Sequence, residues 1–241
     1  MTIPRVVAHR GSSASHSDNS WAAFEAAVTD GADAIECDVV ATRDGVLAIR
    51  HDFSIGDRFV REITFAELET AQPRVMRLND LLSWAQTARI DLLVEIKEPD
   101  IAVATATMIA KSVWRERITV GAFHAPALAA IKRVEPALRT SFMLGSVVGV
   151  EEILHIANTY RVDGVHLCWE ARATHPHRLL DAILIERLQR ARLAVTLWHE
   201  EREDELRALV ALEPDAICTN TPALLRRIVD AHREQQSKPV T

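Results

Sequence analysis

Short apolar runs with the character of buried strands alternate with amphipathic stretches of helical length along almost the whole chain. Strands that alternate with helices of this length indicate parallel βαβ units. The pattern repeats eight times, and eight such units close into a barrel. We therefore predict an α/β fold of the TIM (β/α)8 barrel type. The predicted strands are Arg5–His9, Ala34–Val40, Leu92–Lys97, Ile118–Phe123, Arg139–Leu144, Asp163–Trp169, Leu193–Trp198 and Ala216–Asn220. The predicted helices are Ser20–Asp30, Asn79–Arg89, Ile101–Trp114, Ala125–Val134, Val150–Tyr160, Pro176–Arg192, Glu203–Ala211 and Pro222–Arg233.

Length and composition agree with one domain spanning residues 1–241. A chain of 241 residues is close to the usual length of a (β/α)8 barrel. Hydrophobic residues make up 48% and charged residues 26%, which is ordinary for a globular core. An additional strand, Val46–Arg50, is predicted to pair with the second strand because Asp44-Gly45 is a hairpin signal. The tail from Glu234 is predicted to be frayed.

Charge and hydropathy exclude several classes of partner. The formal charge of −6 argues against nucleic-acid binding, which normally requires a basic domain or stripe. No apolar run approaches the ~20 residues that span a bilayer, and the N-terminus lacks signal-peptide character. These features predict a cytoplasmic protein with no transmembrane segment, and they are compatible with a homo-oligomer. Cys37, Cys168 and Cys218 fall within predicted strands, so buried thiols are expected rather than disulfides.

Three carboxylates interrupt the apolar strands. Glu36 and Asp38 are two residues apart on one strand and therefore point to the same face. Glu95 occupies a similar position on the next barrel strand, with Lys97 on the same face. Oxygen ligands of this kind are preferred by hard divalent cations such as Mg²⁺ or Ca²⁺. The sequence thus indicates a metal site, and the alternatives are a buried ion pair or an exposed sheet face.

Two histidines and an arginine complete the candidate site. His9 and His51 each lie at the end of an apolar run, and they flank the acidic strand in sequence. Histidine titrates near neutrality, so the pair fits a general acid and a general base. Arg10 offers a planar fork of donors that suits a phosphate group. Together with Lys97 and the divalent cation, Arg10 would place three positively charged groups around one phosphate anion.

The chain carries an ordered set of short segments that runs through almost its whole length. These segments are His9-Arg10-Gly11, Asp18-Asn19-Ser20, Ala23-Phe24, Gly31–Asp33, Ile35–Val39, Thr42–Gly45, His51-Asp52, Glu95–Lys97, Ala122-Phe123, Trp198 and Asp215–Pro222. The ordered set is far more specific than any single tripeptide. It resembles the signature of the glycerophosphodiester phosphodiesterase family.

The resemblance implies a metal-dependent TIM barrel that hydrolyses glycerophosphodiesters to glycerol 3-phosphate and an alcohol. By matching position, His9 and His51 would be the acid and base, although the sequence does not decide which is which. The implied metal ligands are Glu36, Asp38 and Glu95, and the implied phosphate-binding residues are Arg10 and Lys97.

The chain departs from the family pattern in four places. Ser17-Asp18-Asn19 replaces a Pro-Glu-Asn triplet, and the segment between Phe53 and Arg77 is short, which predicts a reduced insertion. His199-Glu200-Glu201 stands where relatives tend to have Thr-Val-Asn, and Asn220 stands where aspartate is common. These changes leave both histidines and all three carboxylates in place, so we expect them to alter specificity rather than activity.

Three functional hypotheses remain at this stage. The first is glycerophosphodiester hydrolysis, and the second is hydrolysis of lysophospholipids or sugar phosphodiesters by the same site. The third is a barrel that binds phosphodiesters or a partner protein without turnover. Trp198 could provide an aromatic platform for a choline headgroup through cation–π attraction, or it could simply be core packing. His124, Glu170, His199 and Asn220 also follow or close strands, but residues there are more often turn or helix caps.

Overall fold

The computed structural model describes residues 2–146, 148–168, 173–180 and 182–237. The strands are β1 Arg5–His9, β2 Ala34–Ala41, β3 Leu47–Ile49, β4 Ser54–Ile55, β5 Arg58–Phe59, β6 Met76–Arg77, β7 Asp91–Ile96, β8 Ile118–Ala122, β9 Arg139–Leu144, β10 Gly164–Cys168, β11 Ala194–Trp198 and β12 Ala216–Thr219. The α-helices are α1 Trp21–Thr29, α2 Phe65–Ala71, α3 Leu78–Ala88, α4 Ala102–Ala110, α5 Ala125–Val134, α6 Val150–Tyr160, α7 Ala182–Arg190, α8 Glu203–Val210 and α9 Pro222–Ser237.

Eight of these strands form a closed parallel barrel. The order around it is β1, β2, β7, β8, β9, β10, β11 and β12, and β1 pairs with both β2 and β12 to close the ring. The predicted TIM barrel is therefore confirmed. In this architecture functional side chains gather where the strands end, at the C-terminal face.

The remaining strands lie between β2 and β7. β3 is antiparallel to β2, with Val39 opposite Ile49, which confirms the predicted extra strand. β6 pairs with β3, while β4 and β5 form a separate two-stranded hairpin. A small cluster that includes Phe65 and Leu68 packs beneath this region. That this segment is shorter than in relatives stays a prediction.

Barrel strands are buried on both faces, because one face lines the interior and the other is covered by helices. All six residues of β7 and the first seven of β2 are buried. The charged exceptions within these runs are Glu36, Asp38, Asp91 and Glu95. Cys37 and Cys218 are buried, as expected, whereas the side chain of Cys168 lies outside the described residues. Among the described helices, none has the length and apolar character needed to cross a membrane.

The predicted helix Ile101–Trp114 is wrong at both ends. A 3-10 turn, Pro99–Ile101, precedes α4, and α4 stops at Ala110. The Ser112 side chain accepts a hydrogen bond from the backbone N–H of Trp114 at 3.1 Å. This local bond offers the backbone an alternative to the helical pattern.

Two further helix predictions need correction. Residues predicted as one helix, Pro176–Arg192, form a 3-10 turn at Pro176–Leu179 and then α7, with Leu180 in an extended conformation between them. The last helix continues to Ser237, so the first four residues of the tail predicted to be frayed, residues 234–237, are helical; residues 238–241, like Trp169 and Glu170, lie outside the described part of the chain.

Helix α2 was not predicted, although its start carries a recognisable signal. Thr64 and Glu67 form a reciprocal capping box at its N-terminus, the Thr-x-x-Glu pattern that marks helix starts.

Candidate active site

The three predicted metal-ligating carboxylates lie together at the C-terminal end of adjacent strands. Asp38 on β2 is the direct neighbour of Glu95 on β7, and Glu36 is two residues earlier on β2. One carboxylate oxygen from each residue lies within 4.8 Å of the other two. All three residues are at most 2% exposed. Strand pairing, rather than a loop, therefore fixes the geometry of this acidic cluster.

Burial and mutual repulsion disfavour the charged forms of the cluster. The pKa of Glu36 is raised well above its ordinary value, first by burial and then by Asp38 and Glu95. The pKa of Glu95 is also raised by burial and by Asp38, although Lys97 opposes the change. Within the described residues, Oε1 of Glu36 is buried and accepts no hydrogen bond. Three converging carboxylates with an unused buried oxygen fit a hard divalent cation.

Arg10 and Lys97 border the acidic cluster. Nζ of Lys97 lies 2.7 Å from Oε1 of Glu95 and 3.3 Å from Oδ1 of Asp38. Nε of Arg10 lies 3.1 Å from Oδ2 of Asp38. Burial lowers the pKa of each base, but the neighbouring carboxylates outweigh it and raise both pKa values above normal. Both side chains are therefore cationic at neutral pH and face the same volume as the carboxylates.

The loop after β1 positions Arg10 and Asp38. Asp18 accepts a 3.2 Å hydrogen bond from Arg10, and the Asn19 amide donates a 2.8 Å bond to Asp38. Gly11 has a φ of +85°, and a Cβ there would lie 2.6 Å from the backbone of Ala23 in α1. The turn therefore requires glycine, because a side chain would clash with the helix backbone as well as strain the conformation.

His9 is held against the cluster from three sides. Its Nδ1 is 2.7 Å from Oδ1 of Asn220, and its Nε2 is 3.9 Å from Oε2 of Glu36. Its ring stacks on His199 at 4.7 Å and meets Trp198 edge-on at 5.5 Å. Burial, followed by the positive charge of Arg10, lowers the pKa of His9 well below its ordinary value of 6.5. His9 is accordingly a neutral imidazole whose Nδ1–H donates to Asn220.

His51 lies at the same end of the barrel on the segment that follows β3. The backbone N–H of the preceding residue, Arg50, donates a 2.9 Å bond to the carbonyl of Asp38. The His51 side chain is 39% exposed, and its Nδ1 is 2.8 Å from Asp52. It is thus more accessible to solvent than His9, and Asp52 fixes one of its ring nitrogens.

Trp198 closes β11 and lies between the barrel interior and the site. Its ring contacts His9, Phe123 at 6.0 Å and His166 at 5.8 Å. Burial lowers the pKa of His166 to about 3, so this histidine is neutral. A cavity of about 250 Å³ adjoins the site beside Phe123, and its walls also include Phe53, Glu95, Lys97 and His124.

Sequence reasoning undervalued two residues that contact His9. Asn220 follows β12 and orients His9 directly, while His199 follows β11 and stacks on it. Glu201 joins the two by accepting hydrogen bonds from the Asn220 backbone at 3.2 Å and from His199 Nδ1 at 2.8 Å. Their positions at strand ends were the available signal, but the contact with His9 crosses the sequence by about 200 residues and required the fold.

Comparison with known proteins identifies the family. A sequence model of the glycerophosphoryl diester phosphodiesterase family matches residues 9–224. The chain belongs to this family. It is accordingly a glycerophosphodiester phosphodiesterase, a phosphoric diester hydrolase.

Individual relatives agree with this membership. A glycerophosphodiester phosphodiesterase of Caldanaerobacter subterraneus subsp. tengcongensis is 26% identical over 246 aligned positions, which cover 93% of this chain and 97% of the relative. A probable glycerophosphodiester phosphodiesterase 1 of Mycobacterium tuberculosis is 46% identical over 70 residues, 27% of this chain and 26% of the relative.

The fold also matches solved structures. A putative family member from Galdieria sulphuraria superposes with a TM-score of 0.82 at 19% identity, covering 95% of this chain and 98% of the other. A phosphodiesterase from Oleispira antarctica, solved in complex with the product sn-glycerol-3-phosphate, gives a TM-score of 0.81 at 19% identity over 95% and 97% of the two chains. At 19% identity, these two matches show a shared fold and no more.

Proposed function

We propose that the enzyme hydrolyses glycerophosphodiesters to glycerol 3-phosphate and an alcohol, using one divalent cation and the pair His9 and His51. The observation that carries the proposal is the buried cluster of Glu36, Asp38 and Glu95 beside the imidazole of His9. The names of the relatives support the substrate class, and the Oleispira antarctica structure shows that this fold can hold the product sn-glycerol-3-phosphate.

Glu36, Asp38 and Glu95 would hold the cation, either Mg²⁺ or Ca²⁺. When bound, such a cation supplies Lewis-acid stabilisation of a nonbridging phosphate oxygen and lowers the pKa of a coordinated hydroxyl. Arg10 and Lys97 would bind the remaining phosphate oxygens, because both cations already point into the volume above the carboxylates. Substrate phosphate would then compete with Asp38 and Glu95 for these two side chains.

The histidines would move the protons. Because Nδ1 of His9 donates to Asn220, its Nε2 carries the free lone pair and faces the cluster, which suits a general base. His51 would protonate the leaving alkoxide, and its exposed side chain supports this role, because an alcohol product must leave toward solvent. The nucleophile is either water or the neighbouring glycerol hydroxyl, which would give a cyclic phosphate first.

A hydrolysis screen tests the function directly. The substrates are glycerophosphocholine, glycerophosphoethanolamine, glycerophosphoglycerol and a lysophospholipid, each with Mg²⁺, with Ca²⁺ and with excess chelator. We expect release of glycerol 3-phosphate from the first three, and its loss with chelator. Turnover that persists in chelator would contradict the metal assignment. Absence of turnover on every substrate would favour a binding barrel without catalysis.

One observation favours lysophospholipids as a second candidate substrate class. Phe53 and Phe123 are 47% and 44% exposed, and both line the cavity next to Glu95 and Lys97. Exposed aromatic side chains around a binding site favour an apolar ligand group. Preferential cleavage of the lysophospholipid in the same screen would support this candidate over a polar headgroup.

Trp198 is expected to contribute to headgroup preference. Glu200 is ion-paired with Arg202 and Glu201 is bonded to His199, so neither carboxylate stands free beside the ring. The aromatic face alone would then attract a quaternary ammonium, an interaction of ~0.5–2 kcal/mol. We expect Trp198→Leu to lower the preference for glycerophosphocholine over glycerophosphoglycerol by up to about thirtyfold in kcat/KM.

The ratio of the two kcat/KM values is the required measurement, because the contact of Trp198 with His9 can lower both values together. Trp84→Leu provides a matched control, since Trp84 packs on Trp21 and Phe24 away from the site. A ratio that Trp198→Leu leaves unchanged would assign this tryptophan to core packing.

A further inference from the structure

A second group of metal-ligating side chains lies outside the active site. His175 and His177 belong to the segment that follows β10, and Glu205 lies in the first turn of α8. Nδ1 of His175 is 2.8 Å from Oε1 of Glu205, and Nδ1 of His177 is 2.7 Å from Oε2. A ligand atom from each of the three residues lies within 4.8 Å of the other two. Both imidazoles thus converge on one carboxylate.

The backbone around this group is already fixed. Glu205 is 4% exposed, and the backbone N–H of His177 donates to it at 3.3 Å. Arg202 bridges the two elements, because it donates to the carbonyl of Thr174 at 2.6 Å and pairs with Glu200 at 2.5 Å. An ion here would need little reorganisation, because helix α8 and these bonds already hold the ligands near one point.

The donor set differs in kind from the active-site cluster. Two imidazole nitrogens and one carboxylate oxygen form the combination found in three-ligand zinc sites, whereas the active-site cluster offers oxygen atoms of the kind that Mg²⁺ and Ca²⁺ prefer. The side chains of His175 and His177 are 49% and 30% exposed, so an ion can reach them from solvent. The carboxylate beneath them is buried and supplies the negative charge.

We propose that His175, His177 and Glu205 form a zinc-binding site that is separate from the active site. The bound ion would connect the 173–180 segment to α8. Pro176 and Leu180 of this segment line a small pocket with Trp198 and His199, the residues whose rings contact His9. The ion would therefore stabilise the segment that packs against Trp198 and His199. The proposal does not depend on the substrate assigned above.

Zinc binding by the purified protein tests the proposal. Calorimetric titration with Zn²⁺ is carried out in saturating Mg²⁺, which is added to occupy the active-site cluster. We expect one zinc equivalent in wild type and in Asp38→Asn, and at least about 100-fold weaker binding in His175→Gln/His177→Gln, since even the loss of groups that only orient ligands costs 10–100-fold. His155→Gln removes an exposed histidine on α6 and is the matched control, with binding unchanged.

Two further readouts do not depend on turnover. Zinc should raise the Tm of wild type and Asp38→Asn but not that of the double variant, because a ligand stabilises only a state that binds it. Co²⁺ bound by wild type should show the visible absorption of a site with nitrogen and oxygen ligands, and the double variant should lack it. If the double variant is less folded without metal, the single His177→Gln and Glu205→Gln variants serve the same comparison.

Unchanged zinc affinity in the histidine variants would overturn the proposal. Loss of the zinc equivalent in Asp38→Asn with its retention in the double variant would also overturn it, because the ion would then occupy the active-site cluster. Mg²⁺-dependent hydrolysis is measured separately in each variant, so failure of the zinc site and failure of the proposed function give different results.

Discussion

Glu36→Gln is expected to abolish cation-dependent hydrolysis while raising the Tm of the cation-free protein. The lost ligand should cost at least about 10³-fold in kcat, since metal stabilisation of phosphate charge contributes several kcal/mol and each 1.36 kcal/mol is tenfold. Stability should rise because burial beside Asp38 and Glu95 disfavours ionisation of the Glu36 carboxyl group, which the unfolded chain ionises freely. A gain of about 1 kcal/mol would raise the Tm of a chain of this size by about 2–4 °C.

The raised pKa of Glu36 also determines the pH range in which Glu36→Gln should be more stable than wild type. The pKa of Glu36 in the folded protein is raised, so this group begins to cost stability as the pH rises above its ordinary value of 4.5; the cost grows until the folded pKa is passed and stays constant above it. The advantage of Glu36→Gln should therefore be present near neutral pH and vanish toward pH 4. Differential scanning calorimetry of the chelated proteins at several pH values measures it.

Glu98→Gln is the matched control for Glu36→Gln. Glu98 follows Lys97 at the end of the strand segment but is not part of the acidic cluster. We expect its kcat and Tm to stay near wild type. A Glu36→Gln enzyme with wild-type turnover, or with a lower Tm than wild type in chelator at neutral pH, would contradict the assignment of Glu36 as a strained cation ligand.

His9→Ala should lower kcat by at least about 10²-fold, because proton transfer by a positioned side chain contributes typically 10²–10⁴-fold. His51→Ala should have a comparable effect, and the double variant should lose less than the product of the two, since the residues act in one step. His155→Ala, on the exposed face of α6, should leave kcat unchanged. Steady-state kinetics with glycerophosphocholine provide the comparison.

The pH profile separates a proton-transfer role of His9 from a packing role. The pKa of His9 lies below 6.5, so its base form is lost as the pH falls through that lower value. Wild-type kcat/KM should therefore decline on an acidic limb below about pH 6.5, and His9→Ala should lack this limb. Near-normal kcat in both single histidine variants would remove the acid–base pair from the mechanism.

The sequence predicted the barrel and the acidic cluster well because both depend on local periodicity. Glu36 and Asp38 share a face by strand geometry, and the order of barrel strands brings β7 beside β2. Helix ends were less predictable. Helix α4 ends just before Ser112, whose side chain bonds to the backbone of Trp114. Such a local bond competes only weakly with helical hydrogen bonds, so tertiary contacts decide where the helix ends.

Contacts between distant parts of the chain were the main features that the sequence could not supply. The partners of His9, Asn220 and His199, directly follow the two final barrel strands. Barrel closure between β1 and β12 creates these contacts, and strand periodicity specifies neither the register nor the side-chain rotamers. Glu205 shows the same limit, because a helix-start glutamate ordinarily indicates a charge at the helix dipole rather than two histidine partners.

Every residue proposed for proton transfer, phosphate binding or binding of the catalytic cation comes from a single arc of the barrel, formed by β1, β2, β7 and the short β3 beside them. The described parts of the loops after β8 and β9 stand on the opposite arc and carry none of these roles, while the described segment after β10 carries the proposed zinc ligands His175 and His177. Substitutions in the loops after β8 and β9 can accumulate, and new alcohol groups can be accommodated, without displacing a reacting atom. Because the reacting groups and these loops lie on different arcs of the barrel, the substrate range can diverge while the chemistry stays the same.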